Sequence, residues 1–368
     1  MAKQEKNAKK TYTIDNKAEK FLFKYLNNAS PTGFEVEGQK IWLDYIKPYI
    51  DKHDVDFYGT TYGIINPDAP FKVVIEAHAD EISWFVSYIS EDGLISVIRN
   101  GGSDHIIAPS KRVNIHTKKG IVKGVFGWPA IHLRDTGKDT TPSVKNITID
   151  IGAENKKEVE EMGVHVGCVI TYEDELMLLN NKYYTGRALD NRIGGFMIAE
   201  VAKLIKENNI KLPFALYIVN AVQEEVGLRG AQMVVERIKP NLAIVTDVCH
   251  DTSTPMIDKK EQGDFKCGRG PVVTYGPAVH NILREQILST AEKNKIAFQR
   301  DAASRMTGTD TDAFAYGNAG VPSALISLAL KYMHTTVETV AKADVEAVIT
   351  LIYETLKTIN PKNSYKYL

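Results

Sequence analysis

The run Phe71-Lys72-Val73-Val74-Ile75-Glu76-Ala77 constrains this chain more than any other stretch. It is apolar at nearly every position rather than at every second one, so as a strand it must be covered on both faces. A sheet of that kind needs a layer of helices on each side. The second half of the chain supplies the pattern. Helical spacing over 190–207, 229–238, 281–293 and 341–359 alternates with apolar strand runs over 213–221, 242–247 and 321–326. The expected fold class is α/β, a three-layer α/β/α sandwich.

Two amphipathic helices are expected ahead of that core, over 14–28 and 37–50, parted by the breaker Ser30-Pro31-Thr32-Gly33. Val55–Tyr58 and Tyr62–Ile65 read as a short β-ribbon. From residue 82 the character changes to short β-rich runs separated by turns such as Glu91-Asp92-Gly93 and Lys118-Lys119-Gly120. The domains expected are a discontinuous catalytic domain, 1–82 and 180–368, and an inserted β-barrel-like domain, 83–179. Edge strands of such an insertion need cover, and a second copy of the chain would supply it.

Composition narrows the function classes. A net charge of −1 argues against a basic nucleic-acid surface, and 43% hydrophobic residues are ordinary for a soluble globular protein. No apolar run approaches the roughly 18–20 residues that span a bilayer. The basic start Met1–Lys10 has no apolar segment after it, so it reads as a solvated tail and not a signal peptide. Cys168, Cys249 and Cys267 show no CxxC spacing, which suits neither a disulfide framework nor a thiolate zinc site. A cytoplasmic enzyme is the expectation.

The strand ends carry the chemistry. Val73–Ala77 delivers His78-Ala79-Asp80, whose His-x-Asp spacing puts both side chains on one face, so that Asp80 can orient a ligating His78. Leu216–Val222 delivers Gln223-Glu224-Glu225, and Leu242–Thr246 delivers Asp247. The segment after Ala324–Ser327 leads to His334. Gly186-Arg187-Ala188-Leu189-Asp190 precedes an apolar helical pattern, placing Asp190 where a helix dipole favours a carboxylate. In open α/β sheets ligands gather at the carboxyl ends of strands. Two histidines, two aspartates and a Glu–Glu pair there point to a two-metal hydrolytic site with nitrogen and oxygen donors.

With these residues in view, the chain resembles the glutamyl-aminopeptidase family that includes the tetrahedral (TET) aminopeptidases, which are dinuclear-metal peptidases. The matching segments are Pro31–Glu35, Ala77–Ile82, Ala188–Arg192, Gln223–Gly227, Thr246–Val248, Gly308–Asp310 and Tyr332–His334, in family order. Gly101-Gly102, Arg112-Val113, His132-Leu133 and Ile149–Ala153 match within the insertion. The resemblance implies two divalent ions per subunit, zinc first, with cobalt or manganese as the other candidates. It makes Asp190 the bridging ligand, with His78 and Asp247 on one ion and Glu225 and His334 on the other. Glu224 would be the general base toward a metal-bridged water, with Asp80 behind it, and Thr309 and Asp310 would lie near the substrate. The substrates implied are short peptides with a free N-terminus. The insertion would be a PDZ-like dimerisation domain, and the assembly a homododecamer built from dimers. Neither nucleic acid nor membrane is a partner. The same ligand logic also serves an N-acyl deacylase or carboxypeptidase, and an inactive scaffold subunit would keep the same fold.

Overall fold

The computed structural model describes residues 12–134 and 141–368. The basic stretch Met1–Lys10 lies outside the described residues. An eight-stranded sheet runs in the order Lys52–Val55, Thr61–Ile65, Ala215–Ala221, Lys72–His78, Leu242–His250, Ser323–Leu330, Val272–Tyr275, Gln299–Ala302. Its four middle strands, Ala215–Ala221 through Ser323–Leu330, are mutually parallel. They are buried at almost every position, as the unbroken apolar runs require. Because they are parallel, their carboxyl ends gather along one rim, and that rim carries the site.

Helices cover the sheet to give the three-layer α/β/α sandwich. Leu189–Glu207 packs against Asn16–Asn27, Val36–Ile46 and Lys342–Leu356, while Arg229–Ile238 packs against Asp310–Tyr316. Leu189–Glu207 is buried along almost its whole length, polar residues included. Its buried Glu200 accepts hydrogen bonds from Tyr12 at 2.6 Å and from Tyr45, and Lys203 pairs with Asp15 at 2.9 Å. A charged side chain can stay in such a helix only when partnered in this way. No helix among the described residues is long and apolar enough to cross a membrane.

The insertion is a closed six-stranded barrel: Ser83–Ile89, Ile95–Asn100, Thr148–Asp150, Gly120–Gly127, Arg112–Thr117 and Val169–Tyr172. It has its own core, with Trp84 edge-to-face on Phe126 at 5.7 Å and Val113, Ile149 and Ile170 around them. Closure corrects one expectation. A closed barrel removes its own edges, so edge cover is no reason for a second copy. Met177–Leu179 pairs instead with Tyr183–Gly186, which pairs with Glu338–Ala341 in a separate three-stranded sheet.

Two details differ from the sequence expectations. The first strand of the ribbon is Lys52–Val55, three residues earlier, because Asp56 Oδ1 accepts from the amides of Tyr58 and Thr60 at 2.8 and 3.0 Å and closes a turn there. The third apolar run extends as the strand Leu242–His250, so Asp247 lies inside a strand and not at its end.

Candidate active site

His78 is the last residue of its strand, and it is 2% exposed. Asp247 stands on the neighbouring parallel strand, 5% exposed, and its Oδ1 accepts from the Val248 amide at 2.7 Å. Asp190 sits in the first turn of Leu189–Glu207, after Ala188 at φ +61°. The next side chain, Asn191, is buried and donates to the Thr246 carbonyl at 2.6 Å, which ties the helix start to the Asp247 strand. The chain leaves strand Ala215–Ala221 through Gln223 at φ +57° into the single turn Glu224–Val226, which presents both glutamates. His334 lies beyond strand Ser323–Leu330, with its own φ at +60°.

These elements converge. Asp190 Oδ1 is 3.2 Å from His78 Nε2, and Asp190 Oδ2 is 3.3 Å from His334 Nε2. One carboxylate therefore turns one oxygen to each imidazole. Asp247 Oδ1 and Glu224 Oε2 each lie 3.9 Å from His78 Nε2, and Glu225 Oε2 lies 3.6 Å from His334 Nε2. Among the described residues, three groups bring donor atoms within 4.8 Å of one another: His78–Asp190–Asp247, Asp190–Glu225–His334 and His78–Glu224–Glu225.

Asp80 is fully buried beneath this cluster. Its Oδ1 accepts from the Glu224 amide at 3.0 Å, while its Oδ2 accepts from the Glu225 amide at 3.2 Å and from the Thr32 hydroxyl at 2.9 Å. It also lies 3.4 Å from His78 Nδ1. That contact falls outside hydrogen-bond geometry, since Nδ1 has no hydrogen-bond partner. Asp80 thus shapes the glutamate turn more firmly than it orients the imidazole.

Electrostatics sets the demand for cations. Among the described residues, the basic side chains within ion-pair distance of Asp190, Glu224, Glu225 and Asp247 are the two imidazoles. Burial pushes Glu224 up to about 9 and Asp247 up to about 7, with neighbouring carboxylates adding to each rise. Burial also raises Glu225 well above its ordinary range, with Asp190 beside it. Four carboxylates crowded at low dielectric need positive charge or protons. Imidazole and carboxylate donors in two triads that share one carboxylate suit two divalent cations.

Three features were missed in the sequence. Glu338, 2% exposed, accepts from the Asp190 amide at 3.1 Å and from the His334 amide at 2.8 Å. Burial and then Asp190 hold its carboxyl up at about 8. A glutamate in the otherwise β-forming run Val337–Ala341 was the available signal. The barrel also reaches the site. His334 Nδ1 lies 3.2 Å from the Gly102 carbonyl oxygen, and a Cβ on Gly102 would stand 2.5 Å from that nitrogen. A Cβ on Gly101 would stand 3.1 Å from Glu225 Cβ. The last is Glu76, fully buried two residues before His78.

An open cavity of about 1540 Å³ faces the cluster, lined among others by Phe265, Arg300, Met306, Thr309 and Met333. Thr309 lines it. Asp310 does not, being 1% exposed and set against Glu76, where burial and then that carboxylate push it well above the usual range.

A family model of the M42 glutamyl aminopeptidases matches residues 59–351. The chain belongs to that family. It is similar to the lysyl aminopeptidase of Pyrococcus furiosus, 30% identical over 341 residues that cover 92% of this chain and 96% of that one. Among solved structures it is similar to the TET aminopeptidase of the marine sediment archaeon Thaumarchaeota archaeon SCGC AB-539-E09. The TM-score is 0.90 at 30% identity, over 94% of this chain and 98% of that one. It is also similar to the Pyrococcus horikoshii TET1 peptidase, which can assemble into a tetrahedron or a large octahedral shell. There the TM-score is 0.80 at 27% identity, over 92% and 98% of the two chains.

Proposed function

We propose that this chain is a two-metal aminopeptidase that removes the N-terminal residue from short peptides. The observation that carries the reading is the Asp190 carboxylate, with its two oxygens 3.2 and 3.3 Å from the imidazoles of His78 and His334. In this reading His78, Asp190 and Asp247 hold one divalent ion and Asp190, Glu225 and His334 the other, zinc first, with cobalt or manganese as alternatives. When bound, the ions supply Lewis acidity toward the scissile carbonyl. Glu224 is the general base. Its carboxylate takes a proton from the attacking water and returns it to the leaving amine nitrogen. Asp80 keeps the turn in place so that Glu224 and Glu225 diverge into different roles. Thr309, on the cavity wall, contacts the substrate, and Asp310 backs that wall.

The segments 1–82 and 180–368 form the catalytic unit, and the insertion 83–179 serves dimerisation. In this reading Tyr88, Ile98 and Ile121, 55, 51 and 58% exposed on the barrel strands, are available for such a contact. The assembly proposed is a homo-oligomer, a tetrahedral dodecamer built from dimers, by analogy with the TET relatives. The test compares short peptides with free and with N-acetylated termini, before and after treatment with a chelator. Cleavage confined to free termini and abolished by the chelator is expected. Equal cleavage of both would move the protein to the deacylase or endopeptidase class, and activity indifferent to the chelator would refute metal dependence.

A further inference from the structure

The ligands Asp190 and His334 come from segments far apart in sequence, and both segments are conformationally demanding. Ala188, two residues before Asp190, is left-handed at φ +61°, and Tyr332 and His334 are left-handed at +59° and +60°. Residues other than glycine hold such backbone only where surrounding contacts over-determine it. One side chain accepts from the backbone of both segments. Glu338 Oε2 accepts from the Asp190 amide at 3.1 Å and Oε1 accepts from the His334 amide at 2.8 Å.

The position of Glu338 in the fold explains its reach. It opens the strand Glu338–Ala341, where its register partner is Gly186, the last residue of the strand that leads into Asp190. It also follows His334 by four residues. The small sheet thus joins the two ligand segments, and Glu338 stands where they meet, buried to 2% exposure. Both of its oxygens are engaged by backbone N–H groups. Its carboxyl is absent from the three convergent donor groups among the described residues, so its part is not that of a ligand.

We propose that Glu338 is a positioning residue: one carboxylate that clamps the Asp190 and His334 backbones together and so sets the geometry of the ion held by Asp190, Glu225 and His334. The inference rests on the two-ion reading above. Glu338 anchors two of the three ligands of that ion but one of the three of the His78 ion. Its loss therefore falls on one ion more than on the other.

The test is titration of metal-free full-length protein with Co²⁺, followed by visible absorption and by metal content after gel filtration. Glu338→Gln keeps the size and one carbonyl acceptor but sets an amide group against the second backbone N–H. Support for an oriented ligand shell is typically worth 10–100-fold in metal affinity. The variant is expected to bind its first Co²⁺ within about threefold of wild type and its second about 10–100-fold more weakly. Excess Co²⁺ should restore kcat, which a general structural defect would not allow. Glu338→Asp keeps the charge but cannot span both amides, and it is expected to show the same selective loss. It decides the matter if the glutamine variant does not fold. Wild-type isotherms in both variants, or equal weakening of both ions, would overturn the clamp. A wild-type protein that takes up fewer than two ions would instead overturn the two-ion reading.

Discussion

His78 and Asp247 stand on adjacent parallel strands in the middle of the sheet, whereas Glu225 and His334 stand on turns outside it. The His78 side chain is 2% exposed and that of His334 is 33% exposed. The first pair is positioned by ladder hydrogen bonds that the strands make in any case, between Leu242–Val245 and Val73–Glu76. The second pair depends on separate contacts: Asp80 under the glutamate turn, Glu338 on the His334 amide and the Gly102 carbonyl beside the imidazole. Half of the cluster is therefore a by-product of the sheet, and half is assembled by single residues. Sites on regular elements are held more rigidly than sites on loops. The assembled half should give way first.

The largest expected effect tests the residue between the halves. Glu224→Gln is nearly isosteric but cannot take up a proton. Turnover should fall by at least about a hundredfold with metal content unchanged, as judged by steady-state kinetics and elemental analysis. Near-normal turnover would remove Glu224 from the role of base. Loss of an ion instead would assign Glu224 to the third convergent group, His78–Glu224–Glu225.

A smaller effect separates the halves directly. Gly102 lies outside the left-handed region, so Gly102→Ala suits its backbone and acts only through the Cβ, 2.5 Å from His334 Nδ1. The imidazole must move. One ion should bind about tenfold more weakly while the ion held by His78 and Asp247 keeps its affinity, measured by the same kind of metal titration. Equal weakening of both would mean that the two halves are one rigid unit.

The same contrast explains what the sequence made legible. Apolar runs announce buried elements, His78 and Asp247 follow such runs and Asp190 opens one, so the central strands, the long covering helices and the buried half could be read residue by residue. The barrel was visible as a series of short β runs, but its closure was not, because closure is set by the pairing of Val169–Tyr172 with Ser83–Ile89. Strand Gln299–Ala302 escaped notice because its residues Gln-Arg-Asp-Ala carry no apolar pattern on an edge. Glu338 showed only as a glutamate in a β-forming run and Gly102 only as part of a glycine pair, and neither pattern told what the residue would meet. Glu338 accepts from a backbone N–H 148 residues away and the Gly102 carbonyl faces an imidazole 232 residues away, and no local pattern records such a meeting. Asp310 shows the converse. A polar residue in a matching segment reads as substrate-facing, yet the first turn of Asp310–Tyr316 turns it inward against Glu76.

The two-ion site is tested most directly by anomalous diffraction at the zinc edge from crystals of zinc-loaded protein. Two peaks are expected in each subunit, one among His78, Asp190 and Asp247 and one among Asp190, Glu225 and His334, with Asp190 touching both. A single peak, or a peak among His78, Glu224 and Glu225 with none at His334, would contradict the two-ion site.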